Sequence, residues 1–470
     1  MEHIETTINN LKAIAKSQDI TTKDAFILAQ SLDRYFGEFK RDQSFKQVEV
    51  ELLPRFSEFL GHFNKENGVS FAQGFFLFSY TLAQDYVGCQ SLIHEYIASP
   101  YKEWVKKNWM EYKGQFRQIV SGEKIVFLCR HAVTQGMYAP GKSIYSLVKS
   151  LIDNGDMVEL IVLGNIDQTF KNLAINNSNL SIYNFDFISF DNQLYSLLHF
   201  FKEIKPKMIL TELEFDIASL MAIIGLPVPV ILLSAGFYKV PWFDKIGLPE
   251  VLFSQKLQNK DDRYFQLPTF LSAEILNPKI DCSLVKNAKK ILKINENDIV
   301  IGSFARMEKF KIPFLNLLEE ILNKHNRVKV LLAGSNDTTN VRKYLKKYID
   351  DGRVIVLGEE GETVPNVQIL GNCIDIGLDT FPTHSGFSIL ELMAKGVPVI
   401  SKNDAELGQY SKQRLPELVR KSSKSIIELI SNLVEDEELR KLYSLKTYDF
   451  MDQIQKNNQV VKIIHEIKKN

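Results

Sequence analysis

Two series of alternating strands and helices constrain the fold of this chain more than any other feature. From Lys124 onward, the apolar run EKIVFLCRH is followed by the amphipathic run SIYSLVKSLIDNG and then by MVELIVLG, which is the pattern of a βαβ unit. A second series begins near residue 285 with DIVIGSFARM and PFLNLLEEILNKHN, and it ends in VPVIS. An irregular segment, roughly residues 240 to 285, separates the two series. Repeated βαβ units form parallel sheets covered by helices, so we expect an α/β fold with two Rossmann-like, doubly wound domains facing a cleft.

The chain of 470 residues is too long for one hydrophobic core, and its first quarter differs from the rest. Residues 1 to about 120 show helical periodicity, few glycines and almost no strand-like run; TTKDAFILAQSLDRYF, for example, begins with a capping signal. We therefore expect an all-α domain over 1–120. An N-terminal Rossmann-like domain over 121–280 and a C-terminal one with terminal helices over 281–470 complete the predicted organisation.

The overall charge argues against two classes of partner. Lys and Arg together number 57, as do Asp and Glu, so neither a nucleic acid nor a membrane surface is an expected partner. Residues 217–237 carry no charge and have the length of a membrane span, but Gly225, Pro227 and Pro229 interrupt them. We read that stretch as a helix followed by a buried strand, and we expect no membrane span.

The cysteines and the N-terminus indicate a cytoplasmic protein. The four cysteines are scattered without the spacing of metal ligands, and we read them as reduced thiols. The first residues lack a basic segment followed by an apolar core, so no secretory signal is expected.

A basic loop follows the first strand of the second series. In GSFARMEKFKIP, Arg306, Lys309 and Lys311 come just past the carboxyl end of the strand, where fixed positive charges suit a diphosphate. The alternative is that these side chains are simply solvated.

The stretch DTFPTHSGFSILELMAKGVPVIS, residues 379–401, reads as loop, helix and strand. Backbone N–H groups at Ser385 and Gly386 are candidates to donate to phosphate oxygens at the start of the helix. Glu391, further inside the helix, is a candidate acceptor for ribose hydroxyls, or else a half-buried carboxylate held by a cap or an ion pair. His384 is a candidate contact for the donor sugar or phosphate, or an ordinary loop histidine.

The first Rossmann-like half offers candidates for the acceptor side. His131 follows the first strand, a place suited to proton transfer at neutral pH, although a lone histidine is more often structural. Gly141 opens the next helix and lets backbone approach a donor, or marks a simple helix start. Glu212 and Glu214 follow a later strand, as acceptor-side groups or as a solvated helix start.

The order of domains and the stretch 379–401 resemble GT-B glycosyltransferases. Asp379-Thr380-Phe381-Pro382, Glu391 and Gly396 are similar to the donor motif of the cytoplasmic bacterial N-glycosyltransferases that modify adhesins, which belong with O-GlcNAc transferase. The bacterial members also carry an all-α domain before the two Rossmann halves. About 20 residues carry the motif.

The motif departs from that family in two places. Thr383 to Phe387 replace an Asn/Thr/Gly-rich loop, and Glu391 stands where the family has Asp. GFSILELMAKGVPVIS is instead similar to the retaining GT-B family, although Thr383 stands where that family has its first Glu. Arg306 and Lys311 match, at a separation of five, the basic pair that grips the donor diphosphate there. Retention and inversion both remain open.

The resemblance implies transfer of a hexose, with glucose expected, from a UDP-hexose donor to a protein or glycoprotein acceptor. No Asp-x-Asp triplet occurs in the sequence, so we expect no metal and no other cofactor, with Arg306, Lys309 or Lys311 neutralising the leaving group. The alternatives are a non-catalytic GT-B scaffold or binding protein, a retaining glucosyltransferase that extends a glycan, and a sugar-nucleotide epimerase.

Overall fold

The computed structural model describes most of the chain from Ser99 onward and divides it into two compact units. The first unit runs to Ala132 and takes in Leu151–Leu267 and the residues from His465; the second comprises Val133–Ser150 and Pro268–Ile464. The described residues are 99–113, 122–134, 139–185, 190–213, 222–223, 226–233, 243–249, 262–267, 271–334, 337–358, 367–404, 411–456 and 460–467.

The first unit is built on a parallel sheet of seven strands in the order β3-β2-β1-β4-β5-β6-β7. The strands are β1 (Ile125–Cys129), β2 (Val158–Val162), β3 (Leu180–Asn184), β4 (Met208–Thr211), β5 (Val230–Leu233), β6 (Lys245–Pro249) and β7 (Tyr264–Leu267). Helices α1 (Ser99–Lys113), α3 (Gln168–Ile175) and α4 (Phe190–Ile204) belong to this unit, and α2 (Ala139–Asp153) runs from the second unit into it. Every residue of β1 and β2 is buried, because helices cover both faces of a parallel sheet.

The second unit contains a parallel sheet of six strands in the order β10-β9-β8-β11-β12-β13. The strands are β8 (Ile299–Phe304), β9 (Val328–Ala333), β10 (Val354–Leu357), β11 (Ile376–Leu378), β12 (Val399–Lys402) and β13 (Val419–Arg420). The pattern of a central strand that pairs on both sides, with the chain moving outward in each direction, is that of a doubly wound sheet. Both halves predicted from the alternating runs are therefore present.

Within the described residues, ten further α-helices follow. They are α5 (Ala273–Leu276), α6 (Cys282–Ile291), α7 (Ile312–Lys324), α8 (Thr339–Tyr344), α9 (Lys346–Asp350), α10 (Val367–Gly371), α11 (Phe387–Ala394), α12 (Ser423–Glu435), α13 (Glu437–Lys456) and α14 (Val460–Ile467). Apolar residues of α7 and α12 pack with the sheet in one core, and the ring of Phe314 meets Phe381 edge-on at 5.6 Å. Helix α11 ends where Gly396 takes a φ of +75°, a conformation that glycine adopts without strain.

Two local predictions were wrong. The segment predicted to be irregular, 240–285, contains β6, β7 and α5. Strand β6 reads KIGLP, without apolar alternation, and its pairing with β5 and β7 supplies the order that its sequence does not signal. The helical periodicity of TTNVRKYLKKYID, residues 338–350, predicts a single helix, but the helix is broken at Leu345, whose φ and ψ of −94° and 14° leave the helical region.

Other predictions fall on residues outside the described ranges. They include most of the all-α region 1–120, of which α1 is described, and most of the uncharged stretch 217–237, of which β5 is described. The three-domain boundaries stay a prediction. Within the described residues, none of the helices combines the length and the apolarity that crossing a membrane requires.

Candidate donor site at the reversal point of the second sheet

The carboxyl ends of β8 and β11 meet where the order of the second sheet reverses. Strand β8 pairs with β9 on one side and with β11 on the other. After β8 the chain moves toward β9, and after β11 it moves the opposite way, toward β12. Such a reversal opens a crevice at the carboxyl edge, and ligands of doubly wound sheets bind there. The two segments singled out in the sequence, the basic loop 305–311 and the loop 379–386, follow these two strands.

Direct hydrogen bonds join these two segments. Lys309 Nζ donates to the carbonyl oxygen of His384 at 2.6 Å, and Ser388 Oγ donates to that of Phe304 at 2.7 Å. The loop after β9 is also close, since a methyl group on Gly334 would lie 1.7 Å from the carbonyl oxygen of Ala305. Only glycine fits at that position, and it lets the loops pack side by side.

The three basic residues occupy different environments. Lys309 is half-buried and holds the neighbouring loop, whereas Arg306 is 53% exposed and forms an ion pair with Glu308 at 3.2 Å. Lys311 is exposed and precedes α7 without capping it through its side chain. The charges of Arg306 and Lys311 thus face solvent, whereas the Lys309 ammonium is held in place by its hydrogen bond to His384.

Asp379, the first residue after β11, anchors the loop. Its carboxylate is fully buried and accepts the backbone N–H of Ser385 at 2.8 Å and Ser401 Oγ at 3.1 Å. Arg414 adds two bonds, from Nη2 at 3.0 Å and from Nε at 3.2 Å. Burial alone would raise the pKa of Asp379, but the charge of Arg414 and the bond from His384 outweigh it and hold that pKa below its ordinary value.

The His384 ring lies between two carboxylates. Nδ1 is 3.0 Å from Asp379 Oδ2 and Nε2 is 2.9 Å from Asp404 Oδ1, and the side chain is completely buried. Burial works against the charged ring, yet the bonds to Asp379 and Asp404 prevail and raise the pKa of His384 above its ordinary value. With both nitrogens engaged, this arrangement does not offer the ring to a donor sugar or phosphate, and the side chain instead holds the loop.

Gly386 precedes α11. Among the described residues, no side chain caps this helix start, and no atom lies within 4 Å of the place where a β-carbon of Gly386 would stand. The first N–H groups of a helix have no partner within the helix, so this end attracts anions. The N–H of Ser385 donates to Asp379 in this structure, and the phosphate contacts of Ser385 and Gly386 stay predictions.

Glu391 lies inside α11 in a buried ion pair. Its Oε1 accepts Lys142 Nζ at 2.5 Å and Gln368 Nε2 at 3.2 Å, and the two charged side chains are only 6% and 4% exposed. Lys142 stands beside Gly141 in the first turn of α2, where both residues are buried. The ribose contact of Glu391 and the donor approach at Gly141 stay predictions; the contacts seen here match the ion-pair alternative for Glu391.

A second buried lysine completes this cluster. Lys395 Nζ donates to the carbonyl oxygens of Leu276 at 2.7 Å and Glu391 at 3.2 Å, and it also bonds to Gln368 Oε1. Burial lowers the pKa of Lys395 to about 8, although the nearby Glu391 carboxylate opposes the shift. The cluster fixes the far end of α11.

His131 and Glu212 lie at the equivalent edge of the first sheet, after β1 and β4. Glu212 Oε1 accepts the backbone N–H of Arg130 at 2.9 Å. His131 Nδ1 accepts the N–H of Asn165 at 3.1 Å, which assigns the proton of the neutral ring to Nε2. Burial and the charge of Arg130 lower the pKa of His131. The ring is therefore arranged to donate a hydrogen bond from Nε2. To act as a base through Nδ1, it must first break its hydrogen bond with the N–H of Asn165. Glu214 lies outside the described residues.

Sequence reasoning missed Arg414, Asp404, Lys142 and Gln368. A single arginine set among apolar residues in QRLPELV, and a lysine in the first turn of a helix that is otherwise apolar on its buried face, are the available signals. No group of three or more candidate metal ligands occurs among the residues that the structure describes.

Comparison with known proteins shows similarity in structure only. No protein-family model and no curated protein matches this sequence. A glycosyltransferase from Rickettsia africae superposes with a TM-score of 0.56 and 14% identity, over 74% of this chain and 98% of that one. HepE from Anabaena, solved with UDP and glucose, gives a TM-score of 0.51 and 14% identity, over 74% of this chain and 99% of that one.

A mutant of the O-GlcNAc transferase from Thermobaculum terrenum matches over 99% of this chain and 97% of that one, with a TM-score of 0.50 and 14% identity. The resemblance predicted from the stretch 379–401 is thus confirmed at the level of the fold. With its two parallel sheets of seven and six strands, this chain has the GT-B fold of these glycosyltransferases.

Proposed function

We propose that this protein is a glycosyltransferase that moves a hexose, with glucose expected, from a UDP-sugar to a protein or to a glycan on a protein. The observation that carries the proposal is the junction of the basic loop and the anchored loop at the reversal point of the second sheet. There, Lys309 reaches the carbonyl of His384 beside the uncapped start of α11. Fixed positive charge and helix N–H groups at one place suit a diphosphate leaving group.

The chemistry follows from these groups. As the bond between the anomeric carbon and the diphosphate breaks, negative charge grows on the leaving oxygen. Lys309 is held in place before the reaction, and Arg306 and Lys311 supply further charge from the same loop. Preorganised charge of this kind stabilises the transition state without a metal ion.

The comparisons and the first sheet guide the assignment of donor and acceptor. HepE was solved with UDP and with glucose, which favours a UDP-hexose donor here, and the match to an O-GlcNAc transferase extends over 99% of this chain. We assign acceptor binding to the carboxyl edge of the first sheet, where His131 and Glu212 lie. His131 acts there as a hydrogen-bond donor to the acceptor in its present tautomer.

A donor screen tests the proposal. UDP-glucose, UDP-galactose, UDP-N-acetylglucosamine and ADP-glucose are incubated with the full chain, and products are detected by intact mass, with and without EDTA. Acceptors are a peptide and the same peptide already carrying glucose. We expect transfer from a UDP-hexose that survives EDTA. Absence of UDP binding at millimolar nucleotide would instead favour the scaffold reading.

Three single variants test the basic loop: Arg306→Ala, Lys309→Ala and Lys311→Ala. In each of them, kcat/KM for the donor should fall by an amount equivalent to about 2–4 kcal/mol of lost transition-state stabilisation. Each change removes one positive charge near the leaving group. Lys441→Ala serves as the control, because this exposed lysine pairs with Glu437 and Glu438 on its own helix, α13. Turnover equal to that of the control would remove the tested residue from the donor site.

A further inference from the structure

The two carboxylates beside His384 fix the protonation state of its ring. Nδ1 faces Asp379 and Nε2 faces Asp404, at 3.0 and 2.9 Å. A carboxylate only accepts hydrogen bonds, and a ring nitrogen without hydrogen also only accepts. A neutral ring would therefore set a lone pair against one of the two carboxylates. Both contacts are hydrogen bonds only when both nitrogens carry hydrogen, which makes the ring an imidazolium cation.

The charged groups around this ring come from four elements. Asp379 follows β11, Asp404 follows β12, and Arg414 follows the short 3-10 helix Ser411–Gln413 and donates to Asp379 and to the Ser385 carbonyl. Lys309, at the end of the 3-10 helix Met307–Lys309, donates to the carbonyl of His384. Among the residues that the structure describes, these two carboxylates and two cations balance, so the protonated ring gives the five side chains a net charge of about +1 and the neutral ring gives zero.

We propose that His384 is a positioning residue, kept as an imidazolium by Asp379 and Asp404, whose positive charge strengthens binding of the donor diphosphate at the edge of β8 and β11. The proposal rests on the function proposed above. His384 stands two residues before Gly386, the residue that precedes α11, and its ring is completely buried. Loss of its proton removes the excess positive charge and one of the two hydrogen bonds that the ring makes.

The proposal gives donor affinity a defined dependence on pH. A histidine whose pKa is raised in the folded protein makes its full contribution below its ordinary pKa and loses it as the pH rises through the folded value. Affinity for the donor should therefore be greatest below the ordinary histidine pKa of 6.5 and fall as the pH rises above it through the folded value. Donor binding should in turn raise the pKa of His384 further, because the two effects are reciprocal.

Asp404→Asn tests this mechanism, because asparagine keeps the shape of the side chain and removes one of the two charges that hold the proton. UDP-glucose is titrated calorimetrically against the full chain between about pH 6 and pH 9. The wild-type affinity should fall only as the pH rises above the ordinary histidine pKa of 6.5. In the variant the fall should begin at a lower pH than in the wild type, and the two affinities should lie within about twofold of each other near pH 6.

Asp350→Asn is the matched control. It removes one exposed carboxylate, paired with Lys346 on α9, from the same unit, and its profile should superimpose on the wild type. A second readout follows the ring itself: ¹⁵N shifts of histidine-labelled protein, assigned with His384→Gln, should show that the ring stays an imidazolium above the ordinary histidine pKa of 6.5. In His384→Gln the affinity should be weaker and should lose its alkaline fall.

Three outcomes overturn the inference. Identical pH profiles for wild type and Asp404→Asn would show that the charge is not coupled to the donor, and a neutral His384 ring near pH 7 would remove the charge itself. Absence of UDP-glucose binding at every pH would overturn both this inference and the proposed function. Binding with an unchanged profile would leave the proposed function standing.

Discussion

Lys142→Met is expected to lower the free energy of unfolding by about 3–5 kcal/mol, because it leaves the Glu391 carboxylate buried without its counter-charge. The two side chains are 6% and 4% exposed, and their charged atoms are 2.5 Å apart. Gln368 donates one further bond to the same oxygen, but an amide does not neutralise a charge. Urea unfolding followed by circular dichroism measures the loss.

The double variant Lys142→Met and Glu391→Leu should recover most of that loss, since an apolar pair of similar volume replaces both charges. Lys346→Met breaks an exposed pair with Asp350 in the same unit and should cost less than about 1 kcal/mol. If Lys142→Met is no worse than Lys346→Met, the buried pair does not contribute as described.

The same double variant separates the two roles considered for Glu391. If the carboxylate holds the ribose, the folded double variant should lose affinity for UDP. If the carboxylate only fixes α11 through Lys142, UDP affinity should match the wild type. The contacts in the structure favour the second result.

Asp379→Asn should also cost about 3–5 kcal/mol, because Arg414 then stays buried without a compensating charge. Asp379 is fully buried and accepts hydrogen bonds from Arg414, Ser385 and Ser401. Solvent therefore does not compensate for the counter-charge that Arg414 loses. The pKa of Asp379 is held below its ordinary value. Its ionisation therefore stabilises the fold above the ordinary Asp pKa of about 3.9, and that contribution is lost as the pH falls through the folded value.

The measurement compares unfolding of wild type and variant at neutral pH and in acid. The difference should be large at neutral pH and shrink in acid, and the affinity for UDP-glucose should fall because the loop 379–386 loses its anchor. Asp350→Asn again provides the control for removal of a carboxylate. A variant as stable as that control would mean that Asp379 does not organise the loop.

The parts of the fold that could be predicted are those whose signal is local. The runs IVIGSF and VKVLLA are predominantly apolar, as expected for strands covered on both faces, and they form β8 and β9. Strand β6 could not be found, because KIGLP contains glycine and proline and its order comes from pairing with β5 and β7. The break at Leu345 likewise depends on packing that the helical periodicity does not reveal.

The candidate site divides in the same way. Strand ends of a parallel sheet share one edge, so the basic loop after β8 and the loop after β11 could be placed together from the sequence. Their partners could not, because Asp404, Arg414 and Lys142 meet His384, Asp379 and Glu391 across 20, 35 and 249 residues of chain. Nothing local in the sequence indicates which of many charged residues closes such a contact.

Hydrogen–deuterium exchange of the full chain with and without UDP-glucose tests the location of the donor site most directly. Binding should slow exchange in peptides covering 304–312 and 379–391, since these carry the basic loop and the start of α11, and should leave 346–350 unchanged. Binding that slows exchange only elsewhere, for example at 130–134 and 211–213 along the edge of the first sheet, would contradict a donor site at β8 and β11.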